Sequence, residues 1–279
     1  MPEQPGDHPG HDRNPQAKQM ADESMVRTLA AQIDAIWPQE RPIVAAYAPP
    51  PARILDVGCG TGEFTSRIAR ELPHATAVGV DLVESSLELA RTRTADLGAR
   101  VRFERGDAYE LAFGDAAFDL VACRHVLQAI PDAPRVLAEL VRVVAPGGRL
   151  HVIAEDYGMI HAVSSKVDLA KFWFEAPRAF ARSTGTDLHV GRHVAGHLHA
   201  LPVDDIRMHY IAVDTVRVPR ATFAAIFDAW RDGYVEPLAA VLDRPEAEVR
   251  AAFEATIDAI RDPNGFALWL VPLVTARRR

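Results

Sequence analysis

The sequence predicts an α/β protein with a doubly wound, mostly parallel sheet. Three observations lead there. Between residues 53 and 154, short apolar runs alternate with amphipathic stretches, the rhythm of strands joined by crossover helices. Several runs, such as Phe118–Cys123, are apolar almost without interruption, as expected of strands covered on both faces. The first run ends in a glycine-rich turn that opens into a helix.

Composition narrows the class further. The chain has 279 residues, 48% hydrophobic and 25% charged, enough for one large domain carrying an insertion. A net charge of −7 without a basic run excludes a nucleic-acid groove, which needs clustered Lys and Arg. No apolar stretch reaches the roughly 20 residues of a membrane span, and no signal core opens the chain. Cys59 and Cys123 have no CxxC spacing and read as reduced thiols, so a cytoplasmic location is expected.

Taken in order, residues 1–19 are rich in Pro, Gly, His and Asp and are expected to be a disordered tail. Met25, Leu29, Ile33, Ile36 and Trp37 share a helical face over 20–37; Pro38 and Pro42 are expected to end that helix, with a second short one before Pro49-Pro50-Pro51. Strands follow at Arg53–Val57, Thr76–Asp81, Arg100–Glu104, Phe118–Cys123 and Arg149–Ala154. Helices are expected at Glu63–Leu72, at Ser85–Leu97 behind a Ser85/Glu88 capping box, and at Asp132–Val144 with Asp132 as N-cap and Pro134 in the first turn. Residues 20–154 thus form N-terminal helices and a ligand-binding core. Residues 155–204 read as a helical cap inserted after strand five, with two helices and no strand. Residues 205–279 supply the last two strands, Ile206–Val213 and Phe266–Thr275, joined by an extended helical crossover broken near Pro237 and Pro245. Pro272 predicts an edge strand or bulge, and Arg277–Arg279 a solvated tail.

The chemistry concentrates in the turn Leu55-Asp56-Val57-Gly58-Cys59-Gly60-Thr61-Gly62. Glycines permit a tight turn and close approach of a ligand, and the next helix offers unpaired N–H groups. A dinucleotide site has the spacing G-x-G-x-x-G; here it is G-x-G-x-G followed by Glu63, an anion that would repel a pyrophosphate. Asp56 adds a second carboxylate, an environment suited to an ammonium and a sulfonium. Asp81, at the end of the second strand, is placed to accept ribose hydroxyls.

From Ile54 to Leu150 the sequence resembles class I S-adenosylmethionine-dependent methyltransferases, in particular the ubiquinone-biosynthesis-type and small-molecule group. LDVGCGTG, Asp81, Gly106-Asp107-Ala108 and FDLVACRHVLQAIPDAPRVLAELVRVVAPGGRLHV carry the resemblance. It implies a Rossmann-like, seven-stranded sheet and S-adenosylmethionine as cofactor. It places Gly58, Gly60 and Gly62 along the methionine part, Asp81 at the ribose, Asp107 at the adenine with Ala108 beside it, and Arg124 on the pocket wall; Asp56, Cys59 and Leu82 are further expected cofactor contacts. Residues about Met20 to Met25 would fold over the cofactor.

Methyl transfer from a sulfonium needs alignment more than acid–base chemistry, and a base only for a protonated nucleophile. His125, just after strand four, is the candidate base. Tyr157, His161 and Trp173 are candidate acceptor-binding residues in the cap. His189, His193 and His197 recur every four residues, but Gly191 and Gly196 weaken a helix there, and no metal is expected. Phe223, Ile226, Phe227 and Trp230 share a face that packs on the sheet or forms a homodimer surface. The function implied is methyl transfer to an N, O or C atom of a small-molecule acceptor. The alternatives are a nicotinamide oxidoreductase, disfavoured by the glycine spacing, and a catalytically silent binder of the same cofactor.

Overall fold

The computed structural model describes residues 13–16, 19, 22–48 and 50–279. The expected tail lies largely outside the described residues, but Gln16 within it is buried. Helix α1 (Glu23–Tyr47) is capped by Asp22, whose carboxylate accepts from Ser24 N. It runs through Pro38 and Pro42 instead of ending there. Both prolines, with Asp34, lie on its exposed side, so the carbonyls they deprive of donors face water. Ile33, Ile36, Trp37, Glu40 and Val44 hold the other side against the domain.

The core alternates as expected: β1 (Ala52–Val57), α2 (Glu63–Glu71), β2 (Ala75–Asp81), α3 (Glu84–Arg93), β3 (Val101–Arg105), β4 (Phe118–Arg124), α4 (Ala133–Val143) and β5 (Val144–Ile153). Asp132 caps α4. The Ser85 capping box does not form; Val83 is the N-cap of α3 and its amide is held by Asp81. The short strand β6 (Ile160–Ala162) was not expected, and helices α5 (Leu169–Thr184) and α6 (Val194–Leu198) make up the insertion. The chain continues through β7 (Val203–Asp214), α7 (Arg220–Leu242), α8 (Glu246–Arg261) and β8 (Ala267–Arg278). Helix α7 includes Pro237, and the crossover breaks only before Pro245.

Among the described residues the sheet has eight strands rather than seven, in the order β3-β2-β1-β4-β5-β8, with β7 outside β8. The pairs among β1 to β5 are parallel. Strand β8 runs antiparallel to β5, β6 and β7, and β6 continues the track of β5 along it. Pro272 therefore sits in an interior strand, not at an edge. It falls between the stretch paired with β5 (Leu273–Arg277) and the stretch paired with β6 (Ala267–Trp269). Its carbonyl accepts from Ala154 N on that side, so the missing N–H faces a gap where no ladder bond is due. The expected arginine tail is structured: Arg277 pairs with Asp204, and Arg278 donates to Arg142 O.

Strand alternation sorts the side chains. Leu55, Val57, Val121, Cys123, Leu150 and Val152 pack with α4 and α6. Ile54, Leu120 and Ala122 face α1 and α2. Asp56, Arg124 and His151 are on that second face. There Glu40 of α1, fully buried, accepts from Arg124 Nε at 2.8 Å and Nη2 at 3.0 Å, and lies 2.8 Å from His151 Nε2. Burial opposes its ionisation, but the Arg124 guanidinium and the His151 bond hold its carboxyl below the ordinary value. Phe64 of α2 closes the network, lying under the guanidinium at 4.9 Å and stacked on His151 at 6.0 Å. Asp56, also buried, accepts from Thr65 Oγ1 at 2.5 Å, and burial pushes its carboxyl up to about 6.

Replacing Glu40 by Leu strands a buried guanidinium, so unfolding free energy should fall by about 3–5 kcal/mol in urea titration. Because the Glu40 carboxyl is held below its ordinary value, this contribution is present at neutral pH and fades as pH falls below about 4.5. Asp56 has the opposite sign. Its folded state keeps a proton that the unfolded chain loses from pH 3.8 upward, so stability declines as pH rises from about 4 to about 6. Asp56→Asn removes that slope. The variant should gain up to about 3 kcal/mol on the parent across the window, and parallel unfolding curves at pH 4 and pH 7 would show no gain if Asp56 is ionised at little cost.

Candidate active site

The C-terminal ends of β1, β2, β4 and β5 open into a cavity of about 390 Å³, within the range of small-ligand sites. One wall is the glycine turn. Gly58 and Gly60 have left-handed φ of 72° and 51°, and a Cβ on Gly58 would lie 2.2 Å from Val126 Cγ2, so the turn favours glycine at both positions; Leu29 of α1 lies over Gly60. Asp81 pins the turn from β2, one oxygen accepting from Gly60 N at 2.8 Å and the other from Val83 N at 2.9 Å. Burial raises its carboxyl above the ordinary value, against the pull of those amides. Leu82, Asp107 and Ala108 continue the wall. Asp107 accepts from Tyr109 N at 2.9 Å and lies 3.8 Å from Arg13.

The turn is unsuited to phosphate, though not for the reason the sequence suggests. Glu63 is off the cavity wall and paired with Arg93 at 2.6 Å. Instead the amides are already used: Gly58 N and Cys59 N donate to Val80 O, Gly60 N to Asp81, and Gly62 N to Cys59 O. A pyrophosphate would find these four donors occupied, whereas a nucleoside needs only the carboxylates and the apolar floor.

Of the residues expected at the cofactor, Gly58, Gly60, Asp81, Leu82, Asp107, Ala108 and Arg124 line the cavity. Asp56, Cys59 and Gly62 do not. Asp56 lies behind the turn on Thr65; Cys59 packs with Leu87, Ala90 and Phe103; Gly62 is the N-cap of α2. Arg124 reaches the wall with its guanidinium committed to Glu40. Met20 is outside the described residues, while Met25, Thr28, Leu29 and Gln32 of α1 line the cavity, together with Asn14 and Gln16 from the expected tail.

At the far end stands His125. Its φ of 58° is left-handed, a strained state for a non-glycine residue. His125 N donates to Ile153 O at 2.9 Å, and Gln128 Nε2 donates to His125 O at 2.7 Å. These bonds hold the bend, which carries the ring off the end of β4. Its Nδ1 lies 2.5 Å from Glu155 Oε1, with both side chains buried. His125 Nε2, Gln128 Oε1 and Glu155 Oε2 are buried without a hydrogen-bond partner among the described residues. Tyr157, Trp230 and Tyr234 complete this end. Burial foremost, and then the Glu155 carboxylate, push both tyrosine hydroxyls well up, so both stay protonated.

Two expected acceptor residues are elsewhere. His161 sits in β6 opposite Leu268, exposed and off the wall. Trp173 is buried among Phe172, Phe227 and Phe253 and donates to Thr256 Oγ1 at 3.2 Å; it borders a smaller side cavity. Trp230 and its neighbours Phe223, Ile226 and Phe227 are buried within the chain, so they offer no dimer surface. In the histidine run, His193 pairs with Asp187 at 2.7 Å, and the described residues contain no cluster of metal-ligand type. Sequence reading missed Glu155, Gln128, Trp230 and Tyr234 as site residues. The signal for Glu155 was an acid closing the apolar run of β5; that for Trp230 and Tyr234 was their i, i+4 spacing.

Residues 54–148 match the family model described as a methyltransferase domain. A demethylmenaquinone methyltransferase of Deinococcus radiodurans is 39% identical over 124 residues, 44% of this chain and 51% of its own length. A trans-aconitate 2-methyltransferase of the same organism is 43% identical over 103 residues, 37% of this chain and 38% of its own. The chain thus spans about half or less of these relatives. Among solved structures, phosphoethanolamine N-methyltransferase 2 of Haemonchus contortus, in complex with S-adenosyl-L-methionine, aligns over 87% of this chain and 52% of its own at 20% identity and a TM-score of 0.56, a likeness of fold. Over residues 54–148 the chain therefore matches a methyltransferase domain.

Proposed function

We propose that the protein transfers a methyl group from S-adenosylmethionine to an N, O or C atom of a small-molecule acceptor, with His125 as the base. The observation that carries this reading is the buried His125–Glu155 pair at the end of the cavity opposite Asp107. Glycine turn, Asp81 and Asp107 fit the cofactor: a close-approach floor, a carboxylate at the end of β2 for the ribose, and one beyond β3 for the adenine. When bound, S-adenosylmethionine supplies an activated methyl group with a neutral thioether as leaving group.

The chain's own residues do the rest. Glu155 accepts from Nδ1–H of His125, which leaves Nε2 with its lone pair for the acceptor's proton. Met25, Thr28, Leu29 and Gln32 of α1, with Gln16, line the cavity and shape it around the bound ligands. A silent binder of the cofactor has no use for a strained, buried histidine beside an acid, which favours turnover. Cys59 and Cys123 are free, and no described helix is long and apolar enough to cross a membrane; a cytoplasmic location belongs to this reading.

Two experiments test it. By calorimetry the parent should bind S-adenosylhomocysteine more tightly than NAD, and Asp81→Ala should weaken it by about 1.5–3 kcal/mol; unchanged affinity would remove Asp81 from the ribose. With labelled S-adenosylmethionine and a panel of small hydroxyl, amine and enolic acceptors, the parent should transfer methyl. His125→Ala should lose roughly 10²–10⁴-fold in rate at unaltered S-adenosylhomocysteine affinity; equal rates would deny His125 the role of base.

A further inference from the structure

Behind Tyr157, Trp230 and Tyr234 lies a second cavity of about 40 Å³, which shares those residues and Gln16 with the main one. Resting on the methyltransferase reading above, we propose that the acceptor is an uncharged, phenol-like hydroxyl compound whose compact apolar substituent occupies this side chamber.

Apolar walls argue first. Ala176, Phe180, Leu188 and Leu238 line the chamber's far side. The indole N–H of Trp173, which also borders it, is used by Thr256. The chamber's other polar side chains, Gln16, Tyr157 and Tyr234, are those it shares with the main cavity, so its far side favours an alkyl group. Its volume exceeds the roughly 10–15 Å³ of one water site and suits a substituent of a few carbons. Aromatic side chains precede it: Tyr157, Trp230 and Tyr234 line the passage between the two cavities, a surface on which an aromatic ring can pack.

The charges argue next. Among the described residues lining the main cavity, the Arg and Lys side chains are those of Arg105 and Arg124. Arg124 is held by both oxygens of Glu40, and Arg105, at the end of β3, donates to Leu82 O at 3.3 Å. Among the described residues no guanidinium or ammonium is left at the acceptor end for a carboxylate or phosphate. The one acid among the described residues there, Glu155, has Oε1 on His125 and lies off the chamber wall, so a substituent carrying an ammonium would enter the chamber without a counter-ion.

Hydrogen bonding argues last. Among the described residues lining the main cavity, the buried polar atoms left over are Nε2 of His125, Oε1 of Gln128 and Oε2 of Glu155. With Nδ1–H given to Glu155, all three are acceptors, and they call for a ligand that donates. A hydroxyl meets this. Its proton passes to His125 Nε2 as its oxygen bonds the methyl carbon; the electron pair of the broken carbon–sulfur bond stays on sulfur.

The test is calorimetry of the full chain saturated with S-adenosylhomocysteine, titrated with phenol, 4-isopropylphenol, 4-hydroxybenzoate and tyramine. The parent should bind 4-isopropylphenol about tenfold or more tighter than phenol, the scale of burying three carbons, and bind the anion and the amine less well than phenol. Ala176→Leu fills the chamber and should erase the gain while leaving S-adenosylhomocysteine affinity intact. Phe180→Leu enlarges it and should move the preference toward 4-butylphenol, an independent reading should Ala176→Leu misfold. No gain for 4-isopropylphenol in the parent, equal or tighter binding of the anion or amine, or a preference unmoved in both variants overturns the proposal. Failure of the parent to bind S-adenosylhomocysteine would instead overturn the methyltransferase reading on which it rests.

Discussion

The buried carboxylate of Glu40 is the constraint on which the site depends. It lies on α1 yet is bonded to Arg124 of β4 and His151 of β5, so one side chain fixes the roof helix to two strands of the floor. An ion pair so fully desolvated adds little net stability over an apolar packing of the same shape. Its value is geometric. The guanidinium fork accepts one orientation of the carboxylate, and that sets the rotation and height of α1. From that setting Leu29 comes down on Gly60, and Met25, Thr28 and Gln32 face the cavity. The next residue after Arg124 is His125, so the anchor of the roof and the end of the cavity are adjacent in the chain.

The five parallel strands and the glycine turn were legible because their signals are local: apolar runs of strand length, turn residues between them, and an acid at the end of β2. What was misread depended on which side of an element a residue occupies. Pro38 and Pro42 read as a helix end, but on the exposed side of α1 their cost is borne by hydrated carbonyls. Trp173 read as a ligand contact because an aromatic in a cap region carries no mark of its facing; in the fold it packs between α7 and α8. Pro272 read as an edge because the gap between β5 and β6 exists only once the strands are assembled.

The site was legible in the same uneven way. The cofactor end follows short motifs and could be read by position. The acceptor end could not, since its parts come from four places far apart in the sequence: residue 125, residue 155, α7 and the segment before α1. Yet one pairing was within reach. β4 and β5 lie side by side with Arg124 opposite Ile153, so the residues that follow each strand emerge together. Given that adjacency alone, the acid at 155 is the natural partner of the histidine at 125.

Strand β8 has a consequence for how the molecule is assembled. It is the last of the described strands in chain order but lies between β5 and β7, pairing with both. While the polypeptide emerges from the ribosome, β5 is therefore an uncovered edge for more than a hundred residues of synthesis, and β7 has no sheet to join. An apolar edge left open in this way is where a nascent chain pairs with the wrong neighbour. The methyltransferase domain over residues 54–148 is made early, but its sheet is closed late, and the interval between the two is the period in which this protein is most exposed to aggregation.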